Sequence, residues 1–483
     1  MLNTILQTTK KFIKKNKKEE RKKKGQFFTN KEIAIFMANL YDIPKEKKSL
    51  HILEAGIGTG ILSCALLEKI EKEGSINKVH LTCYEIDSSI IDILFKNLEY
   101  IKKNLKISFS FEIIKKNYIL DKKLLQKYDV VIGNPPYLKL GKMASETEAM
   151  KHLCYGSPNL YFLFVAKSLS ELDENGEMIY IIPRSWTSGL YFKKFRDYLL
   201  SESQIQHIHL FTSRDKVFIS ESILQETMIL KIKKTKEHMP YVKVSSSFSS
   251  LDFSDRTEIE VPYEIIVSQD TNYIHIPVNL NELEILEKIH KLNNTLESIG
   301  LKMKTGLTVD FRNKEMFYEK SEKNKVPLFF SQHIQNGEIK FPINKEKEYI
   351  SIEKKGLLQK NTNYLFVKRF TSKEEKKRLQ CGIYLSKNFK NYSMISTDNK
   401  LNFISGEIIE LSECLVYGLY TIFNSNTYDS YYRILNGSTQ VNSTEINTIP
   451  IPNLEIIEKM GRKIMRERNL TTQICDKILE EYI

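Results

Sequence analysis

Up to Lys234 the chain alternates short β-rich apolar runs with segments of helical spacing, and this alternation constrains the fold more than any other feature. The runs are Leu50 to Leu53, Val79 to Tyr84, Ile107 to Ile114, Tyr128 to Ile132, Met178 to Ile182, Ile205 to Phe211 and Glu226 to Ile232. Helical spacing occupies Ile61 to Ile70, Ser88 to Ile101 and Leu160 to Leu172. A strand, helix, strand order brings each strand back parallel to the last, so the expected fold is α/β, a doubly wound, mostly parallel seven-stranded sheet. The last two runs have no long helix between them, which predicts an antiparallel hairpin closing the sheet.

Beyond Lys234 the alternation fades. Residues 236–278 are polar and Ser-rich and read as a connector, and Asn279 to Leu292 reads as a helix. The pattern is then mixed. It holds a strand at Tyr364 to Phe370, small polar residues at Asn436 to Thr444, a Pro-bounded strand at Ile449 to Pro452 and a closing amphipathic helix from Leu454 to Ile483. The expected division is a basic N-terminal segment at 1–24, an α/β domain at 25–235, the connector at 236–278 and a mixed α+β domain at 279–483.

A length of 483 residues suits two domains. Lys and Arg number 73 against 60 Asp and Glu, a net charge of +13 that fits a polyanionic partner. Much of that excess lies between Lys10 and Lys24, a run that equally suits a solvated helix face. The six cysteines form no CxxC pair and no His/Cys ligand spacing, so no disulfide framework and no metal are expected. No apolar run is long enough for a bilayer or a signal peptide, and a cytoplasmic protein without a membrane partner is expected.

The first strand runs into Glu54-Ala55-Gly56-Ile57-Gly58-Thr59-Gly60 and then into a helix. Glycines there allow a tight turn and close approach of a ligand to the helix N-terminus. Glu85, with Ile86 after it, ends the second strand, where a carboxylate can accept both hydroxyl hydrogens of a ribose. The pair points to an adenosine-containing cofactor, with a ligand-free glycine turn as the plain alternative. A nicotinamide or flavin fingerprint wants Gly or Ala where this chain has Ile61, which favours S-adenosylmethionine.

The fourth strand ends in Asn134-Pro135-Pro136-Tyr137. Two prolines remove backbone donors and hold the chain extended, leaving carbonyl acceptors for a donor-rich substrate. An exocyclic amino group is such a substrate. With one hydrogen on the Asn134 side-chain oxygen and one on the Pro135 carbonyl, its lone pair is aimed at the methyl donor and positioning does most of the work. Tyr137 can stack on the ring that bears the amino group. A Pro-Pro turn with a core tyrosine is the bland alternative, and the tetrapeptide's place at the carboxyl edge of the sheet, beside the glycine loop, weighs against it.

With these residues the chain resembles the gamma class of N6-adenine DNA methyltransferases, the TaqI-type enzymes of restriction-modification systems, closely over residues 22–233. Gly25-Gln26-Phe27-Phe28-Thr29 resembles the motif ahead of the glycine loop that touches the methionine end of the cofactor, which implies a contact from Thr29. The resemblance implies cofactor binding by Glu54, Ala55, Gly56, Gly58, Gly60, Glu85, Ile86 and Asn134, with Phe164 of Asn159 to Phe164 near the cofactor's adenine. It implies catalysis by Asn134, Pro135, Pro136 and Tyr137. Lys216-Val217-Phe218 resembles a later motif whose aromatic, Phe218, packs on the other face of the flipped base, although an ordinary core phenylalanine reads almost as well. Asn117-Tyr118 stands where the family has Asp-Phe reading the cofactor's adenine, and the resemblance implies that both bind the cofactor, the Asn117 oxygen as a neutral acceptor for the adenine's amino group. The second half resembles target-recognition domains through Lys304 to Leu307, Val326 to Leu328 and Gly437 to Ser443.

The resemblance implies double-stranded DNA as partner, action as a monomer, and a separate cognate restriction endonuclease. An Asn-Pro-Pro-Tyr sequence also serves enzymes that methylate protein glutamine, and an RNA adenine methyltransferase or a catalytically silent DNA-binding subunit is a further alternative. The 200-odd residues after the sheet and the basic balance favour DNA.

Overall fold

Each apolar run of the first half forms a strand in the computed structural model, which describes residues 1–122, 127–213, 217 and 226–483. They are β1 (Ser49–Ala55), β2 (Lys78–Tyr84), β3 (Ser108–Ile114), β4 (Tyr128–Gly133), β5 (Leu172–Pro183), β6 (Gln204–Phe211) and β7 (Thr227–Lys233). The helices along this stretch are α1 (Leu2–Lys15), α2 (Lys18–Lys23), α3 (Lys31–Leu40), α4 (Ile61–Glu73), α5 (Ser88–Asn104), α6 (Ser145–Ala149), α7 (Leu160–Glu171) and α8 (Lys193–Glu202).

Strands β1 to β5 are parallel in the order β3-β2-β1-β4-β5, and β7 runs antiparallel between β5 and β6. The expected antiparallel pair of β6 and β7 is therefore present, but it does not close the sheet. Winding goes one way from β1 through β2 to β3 and the other way through β4 to β5. That reversal opens a crevice at the carboxyl ends of β1 and β4, where doubly wound sheets bind ligands.

Two further strands, β8 (Tyr241–Ser247) and β9 (Thr257–Pro262), extend the sheet to nine among the described residues. The segment 236–278 is thus not a connector but part of the first compact unit, Met1–Asn279. Its serines hide the strand from a hydrophobicity pattern because they are satisfied by histidines of β6. Ser245 Oγ lies 2.7 Å from His207 Nε2 and 2.9 Å from His209 Nδ1, and Ser247 Oγ lies 3.1 Å from His209 Nε2. The basic N-terminal segment also belongs to this unit. Helix α1 buries Leu2, Ile5 and Phe12 in the main core, and Thr9 Oγ1 lies 2.7 Å from Thr59 Oγ1 in the glycine loop.

The second unit, Leu280–Ile483, carries a six-stranded and a five-stranded sheet among the described residues, both of short strands, followed by helices. The single closing helix expected from Leu454 is two, Leu454–Ile464 and Thr472–Glu480, because the Thr471 hydroxyl oxygen accepts from Ile474 N and caps a new start. Ile451 makes one isolated bridge to Asn294 in place of the expected strand at Ile449 to Pro452. Among the described residues no helix is long and apolar enough to cross a membrane.

Candidate active site

A cavity of about 500 Å³ opens at the carboxyl ends of β1, β2 and β4 and takes in both motifs read from the sequence. That volume suits a small organic ligand. Of the residues expected to bind a cofactor, Thr29, Glu54, Gly56, Gly58, Glu85, Ile86, Asn117, Tyr118, Asn134 and Phe164 line it. Ala55 does not; it is fully buried in β1. Gly60 stands behind the cavity as the residue before α4.

The loop after β1 needs glycine. Gly56, Gly58 and Gly60 have φ of 72°, 60° and 86°, the left-handed region that side chains with a Cβ avoid. Gly56 N and Ile57 N both donate to the Tyr84 carbonyl, at 2.9 and 3.1 Å, and tie the loop to the end of β2. Helix α4 has no side chain at its cap to satisfy its first amides. Glu54 does this from the strand, its Oε2 accepting from Ser63 N at 3.0 Å and from the Ser63 hydroxyl. Burial pushes the Glu54 carboxyl up to about 8, against the pull of those bonds.

Glu85 is held by backbone amides at both oxygens, Oε2 by Gly58 N at 3.0 Å and Oε1 by Asp87 N at 2.8 Å. Burial raises its pKa while those bonds lower it. A carboxylate has about four acceptor directions, more than these amides use, so it can still take a ribose hydroxyl. Beside it Ile86 presents an apolar side chain that is 67% exposed. Across the cavity the Phe164 ring lies where a Cβ on Gly56 would meet it at 3.7 Å. Glycine loop, carboxylate and apolar walls together fit an adenosine-bearing cofactor.

Asp87, which sequence reasoning passed over, closes the cavity's near side. Its Oδ1 caps α5 through Ser89 N at 3.1 Å, and its Oδ2 accepts from Lys24 Nζ and Gln26 Nε2, both at 2.8 Å. Desolvation raises its pKa, but the bonds from Lys24, Gln26 and Ser89 prevail and hold it down at about 2. The signal was present as an Asp before Ser88-Ser89 at a helix start.

The decisive side chain is Asn134. Its Nδ2 donates to the Phe27 carbonyl at 2.7 Å and to Thr29 Oγ1 at 3.2 Å. A backbone carbonyl can only accept, so the nitrogen must face Phe27, and the orientation of the amide follows. Both amide hydrogens are spent on the motif ahead of the glycine loop, and among the described residues nothing donates to Oδ1. Pro136 lines the cavity with Asn134. Pro135 is buried, and Tyr137 is half-buried outside the lining, its hydroxyl donating to the Ile181 carbonyl at 2.9 Å. The Phe27 ring sits 5.3 Å from the Tyr137 ring. Phe218 lies outside the described residues.

Asn117 lines the cavity with its side chain already engaged. Its Oδ1 accepts from Ile119 N at 3.0 Å and Leu120 N at 3.4 Å, and its Nδ2 donates to Glu146 Oε1 at 2.7 Å. Tyr118 is a core residue at the cavity's edge, its hydroxyl 2.8 Å from Glu171 Oε2 and its ring 5.2 Å from Phe164.

The chain matches the family described as Eco57I restriction-modification methylase over residues 60–218. It is 34% identical over 478 residues to the type II methyltransferase M.BsuBI of Bacillus subtilis, which covers 95% of this chain and 94% of that protein. It is 32% identical over 460 residues to the type II methyltransferase M.PstI of Providencia stuartii, covering 92% and 90%. Among solved structures, a nuclease-deletion mutant of the Type ISP restriction-modification enzyme LlaGI, bound to a DNA substrate mimic, shares the fold with a TM-score of 0.52 at 11% identity. That likeness covers 91% of this chain and 54% of the other.

Proposed function

The chain belongs to the type II methyltransferases of restriction-modification systems, and from that premise we propose that it methylates the N6 amino group of an adenine turned out of duplex DNA. S-adenosylmethionine is the methyl donor and supplies an activated methyl group on a sulfonium. The glycine loop, Glu85, Ile86 and Phe164 hold it, and Asn134 brings the acceptor nitrogen to it.

The observation that carries the adenine reading is the spent amide of Asn134. With both its hydrogens donated to Phe27 and Thr29, the side chain offers only an acceptor to a substrate. The Pro135 carbonyl is the second acceptor of the tetrapeptide. An exocyclic amino group brings two hydrogens to two acceptors, and its lone pair then leaves conjugation with the ring. Holding those hydrogens stabilises the positive charge that develops on nitrogen, so no strong base is needed to begin the transfer. Tyr137, anchored through its hydroxyl, gives the flipped base a fixed ring to stack on.

The same reading has the enzyme acting on DNA as a monomer, beside a restriction endonuclease that is a separate protein. Expression in a host without DNA methylation, followed by modified-base sequencing, tests it. N6-methyladenine at one short sequence, lost in Asn134→Ala, is expected. Methyl groups on cytosine N4, on RNA or on protein glutamine instead would overturn it.

A further inference from the structure

Between the catalytic tetrapeptide and α7 the chain forms a two-limbed projection on the rim of the cavity. Leu140 N donates to the Pro158 carbonyl at 2.7 Å and Leu160 N to the Leu138 carbonyl at 2.8 Å, pinning the limbs as a short antiparallel ladder with Lys139 bridged to Asn159. The first limb leads through a turn into α6 (Ser145–Ala149) before the chain returns to the second limb. Ala144 N donates to the Gly141 carbonyl at 3.1 Å, and the Thr147 hydroxyl donates to the same carbonyl at 2.9 Å. Met143 sits within this turn and is 91% exposed, whereas Leu138 and Leu140, at the base, line the cavity.

An apolar side chain displayed on a hydrogen-bonded turn gains nothing from the fold that displays it. Two cations stand close to it in the chain. Lys139 and Lys142 flank it, both exposed, and neither is ion-paired among the described residues. Further along the chain Tyr155 is 42% exposed with the Lys194 ammonium 4.7 Å over its ring, and Leu190 is 54% exposed. The Tyr191 hydroxyl donates to the Ser157 carbonyl, tying the segment around Leu190 to the second limb. An exposed apolar tip between unpaired lysines, in the segment that directly follows the catalytic tetrapeptide, matches a polyanion that also presents stacked apolar faces.

Resting on the reading of the substrate as duplex DNA with its target adenine turned out, we infer that Met143 is a wedge that enters the base stack beside the target while Lys139 and Lys142 hold flanking phosphates. Turning a base out unstacks its neighbours and leaves a gap, and an apolar side chain in the gap offsets part of that cost. Methionine suits the role because it is unbranched and polarisable and adapts to an irregular space. Wedge and catalytic acceptor belong to one continuous segment, so closing the wedge on the stack and presenting the base to Asn134 are one movement of the DNA.

The test uses the full chain and duplexes carrying the sequence found by modified-base sequencing, in two forms. In one the target adenine faces thymine, and in the other it faces an abasic site, so that little pairing must be broken. Met143→Ala is expected to slow single-turnover methylation of the paired duplex by about tenfold, the scale of one lost apolar contact, and of the abasic duplex by less than about threefold. Met143→Leu retains the rate on both, and the cofactor's Kd stays unchanged in both variants. Lys142→Gln lowers the slope of log affinity against log salt by about one. An unchanged rate in Met143→Ala, an equal loss on both duplexes, or an unchanged salt slope would overturn the inference. A wild-type protein that methylates neither duplex would instead overturn the reading of the substrate on which it rests.

Discussion

Asn134 and Thr29, 105 residues apart in the chain, share a hydrogen bond of 3.2 Å in which the asparagine amide is the donor. That bond and the one to the Phe27 carbonyl turn an ambiguous side chain into a dedicated acceptor. Asn134→Ala is expected to lower the single-turnover rate by at least about 100-fold, roughly 3 kcal/mol, the scale of one preorganised transition-state contact. Thr29→Val keeps the volume but removes one of the two bonds that orient the amide, and a loss of about fivefold, about 1 kcal/mol, is expected. Calorimetry should show the cofactor's Kd within about threefold of wild type in Asn134→Ala. A wild-type rate in Asn134→Ala would remove the residue from the mechanism.

At Asn117 the geometry redirects the expectation drawn from the sequence. The oxygen that was to meet the cofactor's adenine accepts from Ile119 N and Leu120 N, and the amide is donated to Glu146. Asn117→Ala should therefore cost about 1 kcal/mol of stability, as other lost side-chain caps do, and leave the cofactor's Kd nearly unchanged. Asn117→Asp keeps the acceptor for the turn but sets a second carboxylate against Glu146, so it too should melt below wild type. Thermal unfolding with and without cofactor separates the two roles. A weakened Kd at unchanged stability in Asn117→Ala would restore the cofactor contact.

The features legible in the sequence are those whose chemistry is local. Alternating β-rich and helical stretches gave the winding of β1 to β5, and Gly56, Gly58 and Gly60 marked a turn that only glycine makes comfortably. The Asn134 to Tyr137 run was legible because its residue types carry their own backbone consequences. What stayed hidden depends on partners far along the chain. Strand β8 reads as a polar linker until His207 and His209 are beside Ser245 and Ser247. Asp87 reads as a helix cap until Lys24 and Gln26 are brought to its other oxygen. The facing of Asn134 cannot be read without Phe27.

Tyr137 combines two roles that substitution can separate. Its hydroxyl reaches the Ile181 carbonyl at 2.9 Å, while its ring lies next to Phe27. Tyr137→Phe keeps the ring and loses one neutral hydrogen bond, so a fall in rate of no more than about fivefold is expected. Tyr137→Ala loses the stacking surface, worth about 1 to 3 kcal/mol for a base on an aromatic ring, and should slow transfer by tenfold or more. With 2-aminopurine at the target position, wild type and Tyr137→Phe should show the fluorescence rise of an extruded base and Tyr137→Ala a smaller one. Equal losses in the two variants would mean that the hydroxyl anchor, and not the ring, is what matters.

Glu54 makes the free protein and its cofactor affinity depend on pH in opposite directions. Burial lifts its carboxyl to about 8, the hydrogen bonds from Ser63 pulling downward and the neighbouring Glu85 charge adding to the rise. Because the folded value lies above the unfolded one, folding takes up a proton. The stability this group contributes is full below the ordinary carboxyl range and is lost as pH rises toward about 8. The melting temperature of the free protein should thus fall between about pH 5 and pH 8, and less so in Glu54→Gln, whose neutral side chain can still accept from Ser63 N. S-adenosylmethionine is cationic at its sulfonium and its amino group, so it should favour the ionised carboxylate that lines the same cavity. Binding then releases a proton, and below pH 8 the affinity should rise by up to about tenfold per pH unit while that of Glu54→Gln stays flat. Titration calorimetry in buffers of different ionisation enthalpy counts that proton directly. A count of zero near pH 7 would mean that Glu54 stays protonated in the complex and serves only to start helix α4.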